Sequence, residues 1–177
     1  MFIWTRAMER LAGLLASVGP VCSSPLRGYN SMPDTPLNII DFHGLKDKTI
    51  PFSPDLPTNL GEGEFGPLGV TEVLTIIDIV GPDGTVISND GWYYHIKMEY
   101  LTEVIQHMNC DPASSVYPTH MDGSHGFNCQ VWGGCDQGKE VVQCNGNWTH
   151  DYPFNHRYIE SIQILWDFMK THPQQQQ

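Results

Sequence analysis

The run Leu37-Asn38-Ile39-Ile40-Asp41-Phe42, followed at once by His43-Gly44, constrains this chain more than any other stretch. Short β-branched apolar runs bounded by turn signals fit a strand buried on both faces, the environment of a parallel sheet. In open α/β sheets, chemistry collects on loops at the carboxyl ends of such strands. Asp47 falls four residues beyond His43, where such a loop carries it. Taken alone, Asp47 is a solvated loop carboxylate or a turn cap. A second strand-end loop far downstream changes that balance.

The remaining residues supply elements to pack around this strand. Residues 2–12 place apolar side chains at helical spacing, and 14–21 read as a short buried strand closed by the turn-prone segment 22–36. Residues 52–91 read as an insertion outside the main sheet: a Pro- and Gly-rich loop, a Val/Ile/Thr-rich run at 70–80, the turn Gly81-Pro82-Asp83-Gly84, and a returning hairpin strand at 85–87. Residues 92–108 form the clearest helix, with Tyr94, Met98, Leu101, Val104, Ile105 and Met108 on one face and Asn109-Cys110-Asp111-Pro112 ending it. Loop is expected over 113–139, with a small hairpin at Asp122-Gly123, then a strand at 140–144. Ile159, Ile162, Leu165, Trp166 and Met169 mark the apolar face of a last helix, and 174–177 form a disordered tail. This alternation predicts one α/β domain over residues 1–173, a parallel sheet of three main strands with covering helices.

Charge and cysteine usage exclude several classes of function. A net charge of -11, with nine Lys and Arg scattered singly, argues against a nucleic-acid partner, which needs clustered cations on the phosphates. No 18-residue apolar run exists, so no membrane span is expected. Residues 1–22 imitate signal-peptide grammar through Arg6, Arg10 and an apolar run. Trp4, Glu9 and Gly19-Pro20 fit a helix leading into a strand instead, so the segment is not a convincing signal peptide. Five cysteines, Cys22, Cys110, Cys129, Cys135 and Cys144, contain no C-x-x-C pair, which disfavours a zinc ribbon or thioredoxin-type site. Disulfides are expected, their pairing is open, and the odd count leaves one thiol over.

The second strand-end loop, 145–153, holds His150. An acid followed by a histidine, each after a parallel strand, is the order of the last two members of an α/β-hydrolase triad. The histidine takes a proton from a serine hydroxyl, and the carboxylate fixes its tautomer and stabilises the imidazolium. Asp47 and His150 are therefore the candidate catalytic residues, and His43 is read as packing or bonding locally. His120 and His125 lack a completing cluster, so neither a metal nor a cofactor is expected. Trp132, Trp148 and Tyr152 either cover the loop or line an aromatic cleft. Ser17 is the nearest approach to a nucleophile elbow but lacks its first glycine and is expected inside a strand. Asn147-Trp148-Thr149 is a glycosylation sequon too close to His150 to be used.

Residues 41–52 resemble the H-G-x-x-D-x-x-x-P segment of polyhydroxybutyrate depolymerase-like and feruloyl esterase-like serine hydrolases, with Asp47 on the motif's acid. His150 and Pro153 fall on the histidine and proline of that family's G-x-x-H-x-x-P motif, and the intervening cysteines follow its order. The resemblance covers nearly all of 1–170, with 52–91 fitting worst. It implies the C-terminal half of an α/β-hydrolase sheet, extracellular localisation, and an ester substrate: feruloyl esters of cell-wall polysaccharide or hydroxyalkanoate polyesters. One departure stands out. No G-x-S-x-G elbow occurs, and Met1-Phe2-Ile3-Trp4 resembles the run just after it, so a truncated hydrolase, inactive alone, is expected. Such a half-sheet would leave 37–42 or its neighbour as an unpaired apolar edge and make the chain poorly soluble. The alternative is a secreted, disulfide-stapled, non-catalytic binding protein.

Overall fold

Every residue from Asn38 to Gly44 is buried, and the side chains divide between two faces as the pleat requires. The structure, a computed structural model, describes residues 10–25, 32–47, 49–50, 52, 85–87, 93–117, 127–146, 148–150 and 158–173. Its main sheet has five strands in the order β1-β2-β7-β6-β5. These are β1 (Ser17–Val18), β2 (Asn38–Gly44), β5 (Ser115–Val116), β6 (Asn128–Trp132) and β7 (Val141–Gly146). β1, β2 and β7 run parallel, whereas β6 and β5 complete the sheet antiparallel. The fold is therefore α/β with a mixed sheet. The interior position of β2 explains its near-continuous apolar run, since both faces and both edges are covered.

Helix α1 (Lys97–His107) covers one face, where Ile39 and Val141 meet Tyr100, Leu101, Val104 and Ile105. Helix α2 (Tyr158–Thr171) covers the other, where Ile40, Phe42, Val142 and Cys144 meet Ile164 and Phe168. Glu99 in the first turn of α1 and His107 in the last complement the helix dipole. The helix ends in a left-handed residue, Asn109 (φ 52°), with Cys110 N–H donating to the Ile105 carbonyl and Asn109 N–H to Gln106. That closure satisfies carbonyls the helix leaves unbonded, and Pro112 follows where continuation is barred.

Several expectations need correction. The segment 92–108 is not helical throughout: Tyr93–His95 is a strand, β4, paired antiparallel with β3 (Thr85–Ile87) in a separate two-stranded sheet. Tyr93-Tyr94-His95 has the aromatic content of a strand, and helical spacing through Tyr94 concealed it. The proposed partner at 70–80 lies outside the described residues, as do the rest of 53–84, the start of the 2–12 helix, Asp122-Gly123 and the 174–177 tail. Residues 113–139 are not all loop, because they contain β5 and β6. β6 is rich in Asn and Gln, so composition hid a strand that pairs along its full length with β7. Consequently β2 is no edge. The outer strands are β1 and β5, each only two residues long. Among the described side chains of α2, Ser161, Ile164 and Phe168 are buried and Leu165 half-buried, while Ile162 and Trp166 are exposed.

Two disulfides join Cys110 to Cys135 and Cys129 to Cys144, leaving Cys22 as the buried free thiol. Cys129 and Cys144 are register partners on β6 and β7, so this bridge crosses the sheet instead of stapling a loop. Two disulfides fit an oxidising environment. Among the described residues no helix is long and apolar enough to cross a membrane.

Candidate active site

Parallel pairing of β2 with β7 places the two strand-end loops side by side. Gly44 is the register partner of Gly146, so counting onward brings Asp47 beside the stretch that ends at His150. The ladder continues past the strands, with Leu45 N–H donating to the Gly146 carbonyl and Lys46 N–H to the Trp148 carbonyl, at 2.8 and 3.0 Å. Asp47 N–H then closes a turn onto the Gly44 carbonyl at 3.1 Å. Gly44 is required by close approach. A Cβ there would collide with the Trp148 carbonyl and indole ring.

The Asp47 carboxylate is buried, at 4% exposure, and both oxygens are occupied. Oδ1 accepts the backbone N–H groups of Thr49 and Ile50, each at 2.8 Å. Oδ2 lies 2.9 Å from His150 Nδ1. A carboxylate only accepts, so His150 donates through Nδ1 and, when neutral, carries its basic lone pair on Nε2. With its side chain 41% exposed, His150 is accessible from solvent while its partner is not. The arrangement can do one thing well: hold an imidazole in a fixed tautomer and accept a proton at Nε2.

His43 and Cys22 lie near this pair, and His43 bonds locally. His43, fully buried on β2, has Nε2 2.7 Å from the Ile50 carbonyl and 3.4 Å from Asp47 Oδ2. Burial pushes its imidazole below the ordinary value of 6.5, and the Lys97 ammonium adds to that, while Asp41, Asp47 and the Ile50 carbonyl oppose it. The Cys22 thiol is pushed up to about 12, chiefly by burial and then by the Asp47 charge. Further back, Lys97 and Asp41 form a fully buried ion pair at 2.6 Å, and Lys97 also donates to the Ser23 carbonyl at 2.8 Å. Asp41 sits two residues before His43 on the same face of β2, an i, i+2 relation legible in the sequence once the strand is assigned. Nothing local announced Lys97 as its partner, 56 residues away on a helix expected to begin earlier.

The other candidates fall elsewhere. Ser17 pairs with Asn38, six residues before Gly44 along β2, which puts it roughly 20 Å from the loop edge. Trp148 packs on Phe127, with ring centroids 5.1 Å apart, whereas Trp132 lies against the α1-side core. His120, His125, Asn147, Tyr152, Lys48 and Pro51 lie outside the described residues. Among the described residues no group of three or more His, Cys, Asp and Glu side chains is placed to hold a metal ion. No protein-family model matches the chain, and no curated protein matches it.

Proposed function

We propose that this chain carries the acid–base pair of a carboxylic ester hydrolase of the α/β-hydrolase type. The observation that carries the reading is the 2.9 Å contact between His150 Nδ1 and a buried Asp47 oxygen, at the carboxyl ends of adjacent parallel strands. In that role His150 Nε2 takes the proton of an attacking hydroxyl and returns it to the leaving alcohol. Asp47 orients the ring and stabilises the imidazolium. The motif resemblance around Asp47 and His150 supports feruloyl esters or short hydroxyalkanoate polyesters as substrates, and the two disulfides support an extracellular setting.

Methyl ferulate and a short 3-hydroxybutyrate oligomer, each titrated into the labelled chain, test the reading by NMR. Saturable shifts of the His150 ring signals with either ester are expected. Silence with both esters would overturn the ester assignment. The sequence contains no G-x-S-x-G segment, so p-nitrophenyl acetate turnover above buffer is not expected from this chain alone. The two disulfides also favour a second reading, a stapled secreted binding protein in which Asp47 and His150 only tie two loops together. In that case neither ester shifts the His150 ring signals, and His150→Ala lowers stability only.

A further inference from the structure

Two imidazoles approach the same carboxylate oxygen: His150 Nδ1 at 2.9 Å and His43 Nε2 at 3.4 Å from Asp47 Oδ2. We propose that His43 is a positioning residue for the Asp47–His150 pair, acting as a neutral donor that locks the 47–50 turn so that Oδ2 faces His150. The inference rests on the acid–base reading above and deepens it.

The tautomer follows from the partner. His43 Nε2 sits 2.7 Å from the Ile50 carbonyl, which can only accept, so Nε2 carries the hydrogen. Ile50 is thereby held at both ends, its N–H by Asp47 Oδ1 at 2.8 Å and its carbonyl by His43. Strand, turn and carboxylate close into one ring of contacts, anchored on β2 through a side chain with no exposure. The Phe52 ring lies 5.9 Å from the imidazole. Among the described residues His43 Nδ1 has no hydrogen-bond partner to hold a second proton.

Neutrality matters because a charged His43 would compete for Oδ2 and draw Asp47 away from His150. The ionisable groups that act on His43 are Asp41 and Asp47, which favour the charge, and Lys97, which opposes it. Lys97 is fully buried and paired with Asp41, so its charge offsets part of what Asp41 contributes. Desolvation then decides, and the ring stays neutral.

The test uses the full chain labelled with 15N in its imidazoles. In the native protein at pH 8, two-bond 1H–15N spectra should show His43 protonated at Nε2 only, with His150 protonated at Nδ1. His43→Gln, whose amide nitrogen reaches nearly the Nε2 position, should preserve the His150 Nδ1–H signal. His43→Phe, which fills the space without a donor, should lose it. Retention of that signal in a folded His43→Phe variant overturns the proposal. Should that variant not fold, the native spectra alone decide: His43 found bare at Nε2 overturns it equally. Asp47→Asn separates the two levels of the argument. If Asp47→Asn leaves the His150 signals unchanged, the acid–base pair itself fails. If Asp47→Asn changes them and His43→Phe does not, only the positioning role fails.

Discussion

Asp47 performs two tasks with two oxygens: one fastens the turn through Thr49 and Ile50, the other faces His150. His43 adds a constraint of its own to the stability of the molecule. Its folded value lies below 6.5, so between those values the unfolded chain binds the extra proton. Stability from this group is complete above 6.5 and declines as pH falls through and below it. Chemical denaturation at pH 7.5 and 5.5 should show this loss, and His43→Gln, which cannot titrate, should flatten it. The thiol of Cys22, pushed up to about 12, stays protonated at neutral pH and is a poor nucleophile. Iodoacetamide at pH 8 is expected to leave Cys22 unmodified in the native protein and to alkylate it in denaturant. Rapid native labelling, read by mass spectrometry, would contradict that environment.

At the level of elements, the strand-end loops are held by the β2–β7 register and by one close crossing. Gly44→Ala would press a methyl group into the Trp148 backbone, so a loss of about 1–3 kcal/mol is expected, together with weakening of the His150 Nδ1–H signal. An unchanged denaturation midpoint would show that the two loops can separate freely. The first residue of α1 is bound to β2 through the buried Lys97–Asp41 pair. Lys97→Met leaves Asp41 buried without its counter-charge, which costs on the order of 3–5 kcal/mol, whereas Lys97→Met combined with Asp41→Leu should recover most of it. Failure of the double variant to recover would mean that Asp41 serves more than Lys97. The sequence marked both helices and the two central strands, because their apolar content and stop signals are local. It did not mark β4 or β6, because short aromatic or polar segments become strands only when a neighbouring strand accepts their hydrogen bonds.

For the molecule as a whole, two cross-links do what a modest core does less well. The Cys129–Cys144 bridge ties the antiparallel half of the sheet to the parallel half, and Cys110–Cys135 ties the end of α1 to the loop before β7. Closing loops of 15 and 25 residues is worth about 2–4 kcal/mol each on the usual entropic account. Reduction should therefore lower the thermal midpoint by several degrees for each bridge, with Cys129→Ala/Cys144→Ala reproducing part of the effect. A midpoint indifferent to reductant would mean that the bridges do not constrain the unfolded chain. Residues 37–42 are not an edge of the sheet; the neighbouring strand β1, the alternative the sequence left open, is, but over only two residues.

What the sequence determined by itself was everything carried by neighbours along the chain. The apolar run at 37–42 demanded burial on both faces, Asn109 and Pro112 stopped a helix, and the spacing of His43, Gly44 and Asp47 marked a strand-end loop. Tertiary structure alone decided what crosses the sheet: which cysteine was left over, that Lys97 answers Asp41, and that His43 and His150 approach one oxygen of Asp47. The physical reason is register. One parallel pairing, Gly44 against Gly146, brings Asp47 beside His150, and a pairing between strands about a hundred residues apart leaves no signature in either strand.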